Sequence, residues 1–128
     1  MAINLLEELG AAEEASQDRI TVYIPSRDQH GDPVEFEPWV QRVLALLAEV
    51  GGGATRTPPA QGAWLNPETR ELIIEEVTLV YSYIDAQVFT ERLSDIRALL
   101  HGMGRALNQG EVVIEVNERL YKVRDFDM

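Results

Sequence analysis

The sequence predicts a single α+β domain of ferredoxin-like type, an antiparallel sheet with two helices on one face. Three observations predict it: a long stretch rich in branched and aromatic residues at 72–84, two stretches with helical apolar spacing, and turn chemistry between them. The resulting order is β-α-β-β-α-β, with an added N-terminal helix and a short C-terminal strand. We divide the chain into an N-terminal helical extension (1–18), a core (19–116) and a C-terminal hairpin strand (117–128).

The stretch Leu72–Ile84 is predicted to be the central strand. It contains no Gly or Pro, and its composition suits a pleated surface better than a helix. From Val77 onward both of its faces are mostly apolar, which indicates an inner strand covered on both sides. Its length exceeds the usual strand of about 5–6 residues, so we expect a bulge or a protruding end.

The helices are placed by caps and apolar spacing. Ile3–Ala15 is predicted to be a short helix with Asn4 as its N-cap. Pro38–Val50 has Pro38 at the first helical position and ends at three consecutive glycines. Ala86–Gly104 follows Asp85 as its cap and carries one apolar face with alternating spacings of four and three.

The remaining strands are shorter. Arg19–Ile24 ends at Pro25, and any strand within Thr55–Leu65 is predicted to lie at an edge because of its two prolines. Glu111–Val116 and Arg119–Arg124 are predicted to form a hairpin around Asn117–Glu118. In the ferredoxin-like arrangement, the aliphatic residues of the first and last core strands would face the helices. These residues are Ile20, Val22, Ile24, Val112, Ile114 and Val116.

Composition excludes several classes of function. The chain has no cysteine, which excludes disulfides, thiolate metal sites and a cysteine nucleophile. Its formal net charge of −11 disfavours nucleic acid and acidic membrane surfaces as partners. No apolar run approaches the roughly 18 residues of a membrane span. We therefore expect a cytoplasmic protein, and no cofactor is predicted.

The face of the sheet opposite the helices is the main candidate surface. It is predicted to collect Tyr23, Tyr81, Tyr83 and Val113, together with Trp64. A large bare apolar patch on a protein usually marks an interface. We consider three ways in which this face could be covered: by a second subunit, by the N-terminal helix, or by a ligand or partner. A second subunit, and hence a homodimer, is favoured.

One loop holds a dense cluster of polar groups, namely Asp28, His30 and Asp32. A His and two carboxylates can bind a divalent metal or move protons. The segment lies between Pro25 and Pro33, so a solvated turn is the favoured interpretation. His101, in the last turn of the second long helix, is predicted to lie at the surface.

Four short motifs resemble an uncharacterised family of small bacterial ferredoxin-like domains. They are Glu37-Pro-Trp39, Gly62-Ala-Trp64, Glu75-Glu-Val77 and Gln109-Gly-Glu-Val112. The resemblance spans about Ile20 to Val116. It implies the fold and, since that family has no established activity, it implies no catalytic residue.

The sequence thus favours a non-catalytic module that acts by homodimeric or partner association through the face carrying Tyr23, Tyr81 and Tyr83. The first alternative is a small-ligand-binding protein or enzyme with a pocket beside the sheet, with His30 and Asp28 or Asp32 as its polar groups. The second is an acidic inhibitor, or nucleic-acid mimic, that docks on a basic partner.

Overall fold

The computed structural model describes residues 2–128, and Met1 of the predicted extension lies outside the described residues. The helices are α1 (Leu5–Leu9), α2 (Glu37–Gly51), α3 (Ala86–Glu91) and α4 (Leu93–Ala106). The strands are β1 (Asp18–Pro25), β2 (Thr55–Arg56), β3 (Ala60–Leu65), β4 (Leu72–Ile84), β5 (Val112–Val116) and β6 (Arg119–Val123). An α+β protein is confirmed. Within residues 2–128 no helix has the length and apolar character needed to cross a membrane.

The six strands form one antiparallel sheet in the order β2-β4-β1-β5-β6, with β3 also paired to β4. The longest pairing joins β1 to β4, from Asp18 opposite Ile84 to Pro25 opposite Val77. The other side of β1 pairs with β5, and β5 pairs with β6. Therefore β4, β1 and β5 are inner strands, and β6 forms one edge.

The bounds of β4 agree with the predicted central strand, and its expected protruding end is present. Before Val77, β4 is accompanied only by β3, and the two strands form a hairpin that extends beyond the helices. Leu72 and Ile74 on this hairpin are 61% and 54% exposed. No bulge is needed, because the extra length projects outward instead.

The core lies between one face of the sheet and the helices α2 and α4. Directly paired residues point to the same face, so the pairing of Ile20 with Ser82 and of Val22 with Val80 aligns these residues towards the helices. The prediction that alternate residues of the first and last core strands face the helices is confirmed. The buried apolar residues of the sheet are Ile20, Val22, Ile24, Val80, Ile84, Val112 and Ile114. Those of the helices are Val40, Val43, Leu47, Val50, Ile96, Leu100 and Met103.

The prediction of one helix over Ala86–Gly104 is wrong, because the helix breaks at Arg92. The backbone of Arg92 leaves helical geometry (φ −103°, ψ 10°). Its guanidinium donates to Asp95 at 2.7 Å and to Glu49 of α2 at 2.9 Å. No Pro or Gly marks the break in the sequence, and the contact of Arg92 with Glu49 is a tertiary one that local patterns do not reveal.

The N-terminal helix is shorter than predicted, since α1 ends at Leu9. Asn4 is its N-cap as predicted, accepting a hydrogen bond from the backbone N–H of Glu7 at 3.3 Å. Gly10 ends the helix in the left-handed conformation (φ 63°), which glycine adopts without steric cost. No residue of α1 is buried.

We expect Gly51→Ala to destabilise the protein by about 1–3 kcal/mol, the usual cost of overpacking. A Cβ at this position would overlap the Ser82 side chain and the Tyr83 backbone carbonyl of β4. The backbone of an inner strand cannot shift aside without disturbing its pairing. Denaturant unfolding measures the change in the free energy of unfolding.

Gly53→Ala is the matched control. A Cβ at Gly53 meets no atom within 4 Å, so we expect a change within about 0.5 kcal/mol. Equal destabilisation by the two substitutions would contradict this account of how closely α2 approaches β4.

Candidate functional site

The predicted polar cluster lies in an exposed loop. One carboxylate oxygen of Asp28 accepts the backbone N–H groups of His30 at 2.8 Å and Asp32 at 3.0 Å. The bond from Asp32 is the main reason that the pKa of Asp28 is lowered. Within residues 2–128 no group of three His, Asp or Glu side chains is arranged to hold a metal. In this structure Asp28 therefore organises the turn.

The open face of the sheet carries the predicted aromatic residues. Tyr23 lies opposite Leu79, and Tyr81 lies opposite Thr21, so these side chains share the face away from the helices. Trp64 pairs with Ile73 and points the same way, but it sits on the protruding hairpin and is 48% exposed.

The polar contacts on this open face are internal to the sheet. The Arg19 guanidinium lies 4.3 Å from the centre of the Tyr81 ring and 5.6 Å from that of Tyr83. The Tyr23 hydroxyl donates to Glu115 at 3.1 Å. Burial, followed by this hydrogen bond, raises the pKa of Tyr23. The tyrosines of the open face are thus already in contact with charged side chains of the same sheet. A homodimer across this face stays a prediction.

A groove lies on the opposite, helix-covered side of the sheet. It has a volume of about 510 Å³, and we call it the α4–β6 groove. Its helix wall consists of Phe89, Leu93, Ile96 and Leu100. Its strand wall consists of Ile114, Val116, Tyr121 and Val123. The remaining lining residues are Arg97 and His101. The groove is a predominantly apolar cleft of the size that small organic ligands occupy.

The groove exists because the sheet is wider than its helical cover. Phe89 and Leu93 belong to the predicted apolar stripe, yet Leu93 remains 45% exposed. On the edge strand β6, Tyr121 lies opposite Ile114 and therefore points to the helix side. The sequence predicted one apolar face on this helix but not which part of that face would stay uncovered. The alternate residues Tyr121 and Val123, on a strand beyond those that the helices cover, were the available signal for a groove.

The C-terminal segment is anchored at one end of the groove. Arg97 donates two hydrogen bonds to Asp127, at 2.7 and 3.1 Å. His101 accepts the backbone N–H of Asp127 at Nδ1 (2.8 Å), which makes Nδ1 the unprotonated nitrogen. The edge of the Phe126 ring meets the His101 ring at a centroid distance of 5.9 Å.

The prediction that His101 lies at the surface is wrong, since its exposure is only 7%. The Phe126–Asp127 segment covers it. This contact joins residues far apart in the chain, and helical position alone does not reveal it.

A smaller depression of about 230 Å³ lies at the base of the β3–β4 hairpin. Ser26, Arg27 and Glu75 are among its lining residues. Burial raises the pKa of Glu75, against the opposing effect of Arg27. Its volume is below the ligand-site range of about 300–1,000 Å³, so the α4–β6 groove is the candidate site.

No protein-family model and no curated protein matches the chain. The chain is similar in fold to a phage SAM lyase. The structure of that lyase in complex with S-methyl-5'-thioadenosine matches with a TM-score of 0.59 and 13% sequence identity, covering 84% of this chain and 88% of the lyase chain. The lyase in its apo state matches with the same TM-score and identity, covering 90% and 95%. At this identity the likeness is one of fold.

This comparison corrects three expectations from the sequence. The resemblance to an uncharacterised ferredoxin-like family is wrong, because the fold matched over most of the chain is that of an enzyme. The prediction of a module that acts by association is wrong for the same reason, and so is the favoured expectation that the protein is not an enzyme. The acidic-inhibitor alternative stays a prediction. The comparison favours the alternative of a ligand-binding protein or enzyme with a pocket beside the sheet. None of Asp28, His30 and Asp32 lines the α4–β6 groove.

We expect Asp127→Asn to lower the melting temperature slightly at pH 7 and to have no effect in strong acid. The bond from Arg97 lowers the pKa of Asp127 below its ordinary 3.8. A lowered carboxyl pKa stabilises the folded state above the unfolded pKa, and this stabilisation is lost as pH falls through the folded pKa. Thermal melts at pH 7 and at about pH 2 test this. Asp125→Asn is the control, and a difference between Asp127→Asn and the unsubstituted protein that persists in acid would contradict the assignment.

Proposed function

We propose that the protein binds an S-adenosyl sulfonium compound in the α4–β6 groove and breaks a carbon–sulfur bond of the sulfonium. The fold likeness to a SAM lyase over most of the chain, together with a groove of ligand size beside the sheet, carries this proposal. In this proposal the reaction takes place on a small molecule, and the apolar groove is the site that binds it.

The walls of the groove suit an adenosyl thioether. Phe89 on the helix wall and Tyr121 on the strand wall offer aromatic surface to a purine ring. The aliphatic residues Ile96, Leu100 and Ile114 suit a methylthio group. Binding would derive mainly from removal of apolar surface from water, at about 25 cal/mol per Å².

The apolar lining also favours the reaction. A sulfonium has a fixed positive charge, and within residues 2–128 no carboxylate is among the residues that line the groove. In C–S cleavage the bonding electron pair moves to sulfur, which becomes a neutral thioether. In the same step the substrate's own carboxylate oxygen bonds to the carbon that leaves sulfur, so one C–O bond forms as the C–S bond breaks and no proton is released. Because charge is costly in an apolar environment, the groove disfavours the sulfonium more than a transition state in which its charge is dispersed.

The polar residues at the rim have a positioning role in this proposal. Arg97 is the cation that would receive a substrate carboxylate, since its planar fork matches a carboxylate in two hydrogen bonds. In the structure Asp127 occupies that fork at 2.7 and 3.1 Å. A substrate carboxylate would therefore bind Arg97 by displacing Asp127 and would take over the same two-point geometry.

Two finer expectations remain part of the proposal. The inner position of β1 and β4, with β3 and β5 on either side, supports the ferredoxin-like arrangement of the core. A cytoplasmic location is also retained as a prediction.

We expect the protein to bind S-methyl-5'-thioadenosine, measured by calorimetry, and to release a thioether from SAM, measured by chromatography. Tyr121→Ala removes aromatic wall from the groove and is expected to weaken binding about tenfold, equivalent to ~1.4 kcal/mol. Leu120→Ala is the matched control, because Leu120 is the adjacent residue of β6, pairs with Glu115 and faces the open side.

The outcomes separate the parts of the proposal. If the folded protein binds neither compound, the proposal is overturned. Equal weakening by Tyr121→Ala and Leu120→Ala would place the ligand elsewhere. Binding without cleavage of SAM would leave a ligand-binding protein and refute the lyase step.

A further inference from the structure

The N-terminal segment 2–15, which contains α1 and which we call the arm, stands away from the rest of the protein. We propose that the arm is a lid that closes over the α4–β6 groove of the same molecule. As a lid on a ligand site it rests on the proposed function. Three features of the arm support its contact with the groove: its exposed apolar residues, its point of attachment and its charge.

The arm carries apolar residues that nothing in the structure buries. Leu5, Leu6 and Leu9 are 52%, 41% and 74% exposed. They fall within an arc of about 100° around the helix axis, as the helical rotation per residue requires, whereas Glu7 and Glu8 lie outside it. An amphipathic segment of this kind is typical of one that docks on an apolar surface.

The arm leaves the protein beside the helix wall of the groove. The Ser16 hydroxyl donates to the backbone carbonyl of Ile84 at 2.6 Å. Ile84 immediately precedes the cap of α3, and Phe89 of α3 lines the groove. Ser16, the anchored residue that directly follows the arm, is therefore close to the helix wall of the groove.

The strand wall approaches the same point. The Asn117 side-chain amide donates to the Asp18 carboxylate at 2.7 Å, and the backbone N–H of Arg19 donates to the Asn117 side-chain oxygen at 2.8 Å. Val116, which precedes Asn117, lines the groove. The arm thus begins between the two walls.

Pairing also shows which face of the sheet the side chain at the attachment point of the arm shares. Asp18 lies opposite Ile84, and directly paired residues point to the same face. Ile84 is buried on the helix side. Asp18 therefore shares the helix side with Ile84, which is the side on which the groove lies.

The arm is long enough to cover the groove. The stretch from Leu9 to Ser16 spans up to about 23 Å when extended. The helix wall from Leu93 to His101 is about 12 Å long at the helical rise per residue. Gly10, left-handed at φ 63°, turns the chain directly after α1.

Charge favours the same contact. The arm contains four glutamates and no Lys or Arg. Arg97 at the rim of the groove is already paired with Asp127, but Arg119 lies opposite Val116 and so adds a positive charge on the same side. Opposite charges on the two surfaces would steer the arm to the groove. The apolar contact would then hold it there.

A spin label on the arm tests the closure without any ligand. The natural chain has no cysteine, so Glu8→Cys creates a single labelling site on the polar side of α1. We expect the label to broaden the methyl NMR signals of Ile96 and Ile114 in the groove more than those of Val77 and Val113 on the open face. Adding Leu6→Ser and Leu9→Ser is expected to abolish the difference, because it removes the docking side chains.

Three results would overturn the lid. They are the absence of broadening in the groove, stronger broadening on the open face, and broadening that occurs only when labelled and unlabelled molecules are mixed. The last would show that the arm acts between molecules. Since the measurement uses the protein alone, failure to bind S-methyl-5'-thioadenosine would overturn the proposed function without altering this result.

Discussion

The pairing of β1 with β4 is the constraint on which the rest of the structure depends. Eight consecutive residue pairs join the two strands, and a slip of one residue would exchange the buried and open faces. Ser82 and Gly51 allow α2 to lie close against β4, where the Ser82 hydroxyl donates to the Gly53 carbonyl at 2.5 Å. With this register in place, the branched residues face the helices and the tyrosines face away.

The two faces that this register creates differ in what they offer. The open face is broad, and its aromatic rings are already engaged by Arg19 and Glu115. The helix side is concave, because β6 extends the sheet beyond the helices and leaves Tyr121 facing a gap beside α4. A concave apolar surface surrounds a small ligand more completely than a flat one, which is why the proposed function rests on the groove.

The likeness to a SAM lyase changes how the aromatic and acidic residues are interpreted. A strongly acidic chain with tyrosines on one sheet face suggested association from its sequence alone. The structure shows that apolar walls, rather than acidic groups, surround the candidate site. An apolar site disfavours a charged sulfonium and tolerates a neutral thioether, and under the proposed function the same groove would serve both turnover and binding of the product. Fold and function remain separate arguments at 13% identity.

Sequence patterns alone determined the α+β class, the bounds of β4, the cap at Asn4 and the alternation that buries Ile20 and Val22. These features depend on local periodicity and backbone sterics, which act within a few residues. Tertiary structure alone decided the break at Arg92, the burial of His101 and the α4–β6 groove. Each of these involves contacts between distant segments: an ion pair with α2, a C-terminal segment laid over α4, and a sheet wider than its helices. Local periodicity marks a side chain as apolar, but only packing decides whether it is buried or lines a site.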